Sequence, residues 1–176
     1  MALNLIMKKS LLAAAFAIAS ILAVTAPNAL AGGETGSTAP AWKLRTVDGT
    51  EVSSADFAGK VLVVDFWATW CPPCRAEIPG FVELQKKYGK DGLVIVGISV
   101  DQGGVELVKK FIAQNKINYQ IVLADDGVDG AFGGIEGIPT TFVIDRDGKI
   151  QLKEVGFVET KEFEKRIQPF LNAKKS

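Results

Sequence analysis

The 176-residue chain contains no histidine. That removes Cys–His nucleophilic catalysis and leaves a zinc or haem site without its usual nitrogen ligand. There are only two cysteines, Cys71 and Cys74, and they lie three residues apart. A structural disulfide works by closing a long loop of the unfolded chain, and a ring enclosing two residues constrains little. A charge excess is missing too: 20 basic residues stand against 20 acidic ones. A nucleic-acid-binding surface needs a basic excess, so none is expected. The sequence shows no internal repeat and no low-complexity tract. What it does have is a long apolar run near its start, several shorter ones, and the stretch DFWATWCPPCRAEIP from Asp65 to Pro79.

The first run has a three-part layout. Lys8 and Lys9 precede apolar residues from Leu11 to Val24, Pro27 and Asn28 break the run, and Ala29-Leu30-Ala31 is a small-residue cleavage site. This predicts a secretory signal peptide over 1–31, cleaved after Ala31, with Met7 as an alternative start. The competing reading is an uncleaved N-terminal membrane anchor, for which the run is short against a span of about 20 residues. No cysteine follows the run, which argues against a lipoprotein. Export implies a periplasmic or otherwise extracytoplasmic location. Removing Lys8 and Lys9 leaves 18 basic against 20 acidic residues.

Residues 32–40, GGETGSTAP, read as a flexible polar leader. A hairpin follows, with Trp42, Leu44 and Thr46 alternating with Lys43 and Arg45 and a turn at Asp48-Gly49. Ser53 or Ser54 is placed to cap a short helical turn. VLVVDFWA (61–68) is nearly unbroken apolar sequence, a strand buried on both faces. A helix is predicted from Pro72 to about Tyr88, with Ile78, Phe81, Val82 and Tyr88 near one face and Gly89 as its stop. A second buried strand (93–100) and a second amphipathic helix (105–115) complete a βαβ pattern with a right-handed crossover. Residues 119–124 offer a short extra strand. The glycine-rich 127–137 segment has no phosphate-binding pattern and reads as a loop with one helical turn. A hairpin turns at Arg146-Asp147-Gly148, and a last helix runs from Thr160, a candidate cap, to Leu171.

The cysteine spacing points to chemistry. Residues i and i+3 of a helix have Cβ atoms about 5–6 Å apart, so Cys71 and Cys74 can pair with little adjustment. Cys71 falls at a helix N-terminus, where unpaired N–H groups and the dipole favour a thiolate. Pro72 and Pro73 cost little there, because first-turn N–H groups have no partner to lose. Lowering a thiol pKa from about 8.5 to about 7 raises the thiolate fraction roughly 15-fold. Intrinsic nucleophilicity falls about 5-fold over the same shift. The gain therefore lies in leaving-group quality and redox poise more than in speed. Two buried structural cysteines, or two thiolates of a metal site, are the alternatives.

FWATWCPPC after an apolar strand, the βαβ pattern and GIPTTFVIDRDGKI together resemble the thioredoxin superfamily, and within it the TlpA/ResA-like exported thiol-disulfide oxidoreductases. The resemblance runs from about Trp42 to the last helix. It implies an α/β thioredoxin-like fold over 41–176: a central mixed sheet flanked by helices, with an N-terminal β-hairpin and a central insertion. It makes Cys71 the exposed attacking cysteine and Cys74 the buried resolving one. Pro139 corresponds to the cis-proline facing the disulfide, which would present the backbone of Ile138 to an extended substrate. Pro79 corresponds to the proline within the active-site helix. Asp65 matches the aspartate thought to handle the resolving cysteine's proton, where many TlpA/ResA-like proteins carry asparagine; a hydrogen-bonded structural aspartate is the alternative. The glutamate this branch often buries before its second helix aligns with Gly103, with Glu106 displaced onto the helix, so Asp65 is a candidate substitute. Trp67 is expected in the core. Trp70, with Pro72 and Pro73, is expected to shape the surface a substrate meets.

The expected function is therefore reduction of disulfides in envelope proteins by a CPPC dithiol, with apocytochrome c a candidate client. Cys71 and Cys74 would be re-reduced by a membrane thiol donor. A monomer is expected, with no cofactor and no metal. The rivals are a disulfide oxidase or isomerase, a thiol peroxidase on the same fold, and a metal-carrying binding module. The absence of histidine between the cysteines favours the reductase.

Overall fold

A computed structural model describes residues 33–173; the segment expected as a signal peptide lies outside them. The elements are β1 (Lys43–Thr46), β2 (Glu51–Ser53), β3 (Val61–Trp67), α1 (Pro72–Tyr88), β4 (Leu93–Ser99), α2 (Val105–Asn115), β5 (Gln120–Leu123), α3 (Val128–Ala131), β6 (Thr140–Ile144), β7 (Ile150–Val155) and α4 (Thr160–Asn172). The seven strands form one sheet in the order β2-β1-β5-β4-β3-β6-β7. β3, β4 and β5 are parallel, while β6 and β7 return antiparallel on one side and β1 and β2 close the other.

The unbroken apolar run explains why β3 lies inside the sheet: every one of its residues is buried. Side chains alternate across a strand, so its seven residues feed two cores. Leu62, Val64 and Phe66 join Trp42, Phe132 and Phe142 on one face. Val61 and Val63 pack on the other against Phe81 and Leu84 of α1 and Phe163, Ile167 and Leu171 of α4. The same face continues through Trp67 to Val108 of α2. Asp65 has the parity of Val63 and Trp67, so it points under α1. The ladder pairs Trp67 with Ser99 and Phe66 with Thr140, which gathers the ends of β3 and β4 and the start of β6 at one end of the sheet.

Four local details differ from expectation. The leader is tied down at its end: Gly36 donates to the Ile150 carbonyl at 2.7 Å, Ile150 to that of Ser37 at 2.9 Å, and Thr38 bridges Lys149. Backbone pairing to an open strand edge fixes a polar segment that composition alone reads as mobile. Gly89 is the C-cap of α1, at the expected stop of the helix, but its conformation is right-handed; the left-handed glycine is Gly92, at φ 95°, which closes the short 3-10 turn that follows. Glu159, not Thr160, caps α4, its carboxylate accepting from the N–H groups of Lys161 and Glu162. The inward face of α1 also includes Glu77 and Leu84, while Val82 is only half-buried.

Candidate active site

The turn from β3 to α1 places the cysteines. Cys71 is the N-cap of α1, and Pro72 and Pro73 fill the first two helical positions. Neither proline has an N–H, so the first donor facing the sulfur is that of Cys74, 3.3 Å from Cys71 Sγ. Cys71 and Cys74 form a disulfide, with Cα atoms 5.3 Å apart. The Ile138–Pro139 bond is cis, and the Ile138 carbonyl oxygen lies 3.7 Å from Cys71 Sγ.

Cys71 is not exposed as expected. It is only 3% accessible, against 1% for Cys74. In the disulfide form Ile138 covers its sulfur, and both cysteines pack with Trp67, Ile78 and Val108. What stands exposed around them is Trp70, at 65%, with Pro72 and Pro73 beside it. Trp67 is in the core as expected, its ring 5.4 Å from that of Phe111. Across the ladder from Asp65 is Gly97; a Cβ there would lie 2.8 Å from Trp67 Nε1 and 2.7 Å from Ile121 Cδ1.

Beneath the cysteines lie two buried carboxyls. Asp65 is 4% exposed and accepts from Thr141 Oγ1 at 3.1 Å. Burial pushes its pKa up to about 7, with the Thr141 bond opposing part of that rise. Glu77 is 5% exposed. One of its oxygens accepts from the Val158 N–H at 3.2 Å; the other is buried with no partner among the described residues. Burial, and then repulsion from Asp65, push its pKa up to about 8. Tyr119 completes the group: its ring stands edge-on to Phe81, and burial with the charges of Asp65 and Glu77 holds its phenol well above its usual range. Two carboxyls that are neutral or half-ionised near neutral pH can take and return protons, which ordinary surface carboxylates cannot do there.

Glu77 is the residue the sequence reading missed. The position that aligns with the branch's buried glutamate, Gly103, and the displaced Glu106 are both exposed at the start of α2. The signal was in the spacing. Cys74, Glu77, Ile78, Phe81 and Leu84 fall on one helical face, so a charged residue three after Cys74 had to point inward.

All five large apolar side chains that stand exposed among the described residues come from the end of the sheet carrying Cys71. They are Trp70, Val105 and Leu107 at the start of α2, Val155 at the end of β7, and Phe157 just beyond it. Gly156 donates to the Pro139 carbonyl at 2.8 Å, which sets Val155 and Phe157 beside the cis-proline. Exposed apolar side chains gathered at one end of a molecule mark a contact surface, whether for protein, membrane or ligand.

Comparison with known proteins agrees with this geometry. The model of the AhpC/TSA family matches residues 35–153. The thiol-disulfide oxidoreductase ResA of Bacillus thuringiensis subsp. konkukian is 33% identical over 129 residues, spanning 73% of this chain and 73% of that protein. The thioredoxin-like protein YneN of Bacillus subtilis is 33% identical over 137 residues, spanning 77% of this chain and 80% of its own. Among solved structures, a thiol:disulfide interchange protein of the thioredoxin family from Chlorobium tepidum superposes with a TM-score of 0.72 at 38% identity, covering 79% of this chain and 99% of that one.

Proposed function

The chain belongs to the AhpC/TSA family, has a thioredoxin-like fold and is a thiol-disulfide oxidoreductase of ResA type; from that premise we propose that it works outside the cytoplasm as a reductase of protein disulfides. One observation carries the reading: the Cys71–Cys74 disulfide caps a helix over two buried carboxyls and under a rim of exposed apolar residues. In the reduced enzyme, the Cys71 thiolate attacks one sulfur of a client disulfide. A mixed disulfide forms and the client's other sulfur leaves as a thiolate. Cys74 then gives its proton to the Asp65–Glu77 pair and attacks Cys71 Sγ. The client's second thiolate leaves, and two electrons have passed from the enzyme dithiol to the client. Pro139 and Ile138 hold the client backbone, and Trp70, Pro72 and Pro73 frame it. A membrane thiol donor must restore the dithiol.

Direction follows from charge. A helix N-terminus stabilises the Cys71 thiolate, but Cys74 is buried, and burial together with the partial negative charge of the half-ionised Asp65 opposes a thiolate there. A dithiol whose reduced form is less stabilised is a better reductant. The N-terminal pattern of Lys8, Lys9 and Ala29-Leu30-Ala31 supports export. Apocytochrome c is the client class that the family resemblance offers.

A Cys74→Ser variant cannot resolve its mixed disulfide, so expressed with its N-terminal segment it should accumulate covalent adducts with envelope proteins. Equilibration with a reference dithiol should give a potential of about −270 mV, as for thioredoxin, rather than about −120 mV, as for strong oxidants. Adducts with cytoplasmic proteins alone would remove the proposed location. A potential at the oxidising end would reverse the direction.

A further inference from the structure

The turn that carries the attacking sulfur is held by a carboxylate that belongs to neither the disulfide nor the buried acid pair. Asp101 lies just past the end of β4. Thr69, two residues before Cys71, gives it both of its donors. The Thr69 N–H reaches the two carboxylate oxygens at 3.2 and 3.0 Å, and Thr69 Oγ1 reaches one of them at 2.6 Å. Asp101 is fixed in turn by Ser99, whose hydroxyl donates to it at 2.9 Å and accepts from its N–H at 3.2 Å. The strand ladder extends up to this point, with the Val100 N–H on the Trp67 carbonyl at 2.9 Å.

The remainder of the turn has little else to hold it. Cys71 donates back to the Ala68 carbonyl at 3.2 Å, which closes the turn on itself. Trp70 is largely exposed, and Pro72 and Pro73 have no N–H to give. Thr69, by contrast, is only 9% exposed and is bound through main chain and side chain together. A charge-assisted pair of bonds to one carboxylate is stronger and more directional than neutral bonds. It ties the end of β4 to the entry of α1 and so sets where Cys71 Sγ stands relative to the Cys74 N–H.

We propose that Asp101 is a positioning residue for the oxidoreductase reaction: by gripping Thr69 it fixes the β3–α1 turn, and with it the Cys71 sulfur, at the N-terminus of α1. The proposal rests on Cys71 being the attacking sulfur. It predicts that reactivity at Cys71 depends on the grip, and not on the charge of Asp101 or on global stability.

The test compares the reduced wild-type protein with Asp101→Leu, Asp101→Asn and Thr69→Val. The rate of iodoacetamide alkylation at Cys71 is read by mass spectrometry against pH, alongside insulin-disulfide reduction and the melting temperature. Asp101→Leu removes every acceptor and should slow both reactions about 10-fold, within the loss that a sub-ångström misplacement produces. Asp101→Asn has no charge, but its amide can bond both hydroxyls and the Thr69 N–H, because hydroxyls donate and accept. It should stay within about twofold of wild type. Thr69→Val loses only the hydroxyl grip and should fall between the two; it carries the test if Asp101→Leu does not fold. Equal losses in Asp101→Leu and Asp101→Asn would assign the effect to charge and overturn the proposal. A lowered melting temperature with unchanged alkylation at Cys71 would reduce Asp101 to a structural role and overturn it equally. Failure of the wild-type protein itself to label at Cys71 or reduce insulin would remove the functional reading, and this proposal with it.

Discussion

The Cys71 sulfur lies 3.7 Å from the carbonyl oxygen of Ile138, 67 residues away in the chain. The contact joins the two halves of the site, the helix entry and the cis-proline segment, and it closes over Cys71 in the oxidised protein. It also separates the two cysteines. Both cysteines pack in the cluster around Trp67, but only Cys71 meets this backbone edge and adjoins the exposed Trp70, whereas Cys74 lies one turn further into α1. After reduction, alkylation should fall on Cys71 first. Replacing Cys71 with serine should cut total labelling of the folded protein about 10-fold or more, given that reactivity follows thiolate character and access together. Replacing Cys74 should leave labelling nearly intact. The reverse order would exchange the roles of the two residues.

The raised pKa of Asp65 has a stability consequence of definite sign. Its folded value, about 7, exceeds the ordinary 3.8. The folded state therefore binds the proton more tightly than the unfolded state. The stabilisation from that proton is complete below about pH 4 and is lost as pH rises through the folded pKa. A shift of this size corresponds to roughly 4 kcal/mol between the two limits. Asp65→Asn removes the ionisation. Its melting temperature should exceed that of wild type at pH 8 and differ little at pH 5. The same difference at both pH values would show that Asp65 is not ionising in this window.

Glu77 and Asp65 raise each other's cost of ionisation, so their substitutions should not add. Glu77→Gln keeps an acceptor for the Val158 N–H while losing the charge. Either single change relieves the partner's repulsion, and the second then has less to relieve. A double-mutant cycle of stability at pH 8 should show a coupling of about 1 kcal/mol, typical of charged residues in contact. At pH 5 both groups are protonated and the coupling should vanish. Strict additivity at pH 8 would place the two carboxyls too far apart to act as one proton reservoir.

Which features were legible in the sequence follows from how local their causes are. β3 was legible because six of its seven residues are apolar or aromatic and leave no polar face, so the one aspartate among them had to be buried. The cysteine pair was legible because a spacing of three fixes its geometry on a helix. Glu77 was missed because a glutamate next to Arg75 and Ala76 reads as surface until Cys74, Phe81 and Leu84 are counted onto the same face. The grip of Asp101 on Thr69 was not legible at all. It joins residues 32 positions apart across a parallel pair of strands, and only the register Trp67–Ser99 brings them together. The burial of Cys71 was equally hidden, because it depends on where the Ile138 carbonyl lands.

Trp70 and Phe157 offer the most direct measure of what the site is built to meet. They come from different segments, one next to Cys71 at the helix entry and one on the stretch bonded to Pro139 through Gly156, and both expose apolar surface to solvent. A folded monomer gains nothing from that exposure, whereas a protein client laid along Ile138 would cover both rings. Burying an aromatic ring in a complex is worth about 1.5–3 kcal/mol, so losing one should lower kcat/KM roughly 10-fold for a protein disulfide. A small disulfide such as oxidised glutathione reaches the sulfur without covering either ring and should be reduced by Phe157→Ala at nearly the wild-type rate. The split between the two substrates is the measurement that matters. Equal losses on both would mean that Phe157 supports the fold of the Gly156 segment, while no loss on either would mean that clients approach Cys71 from another side.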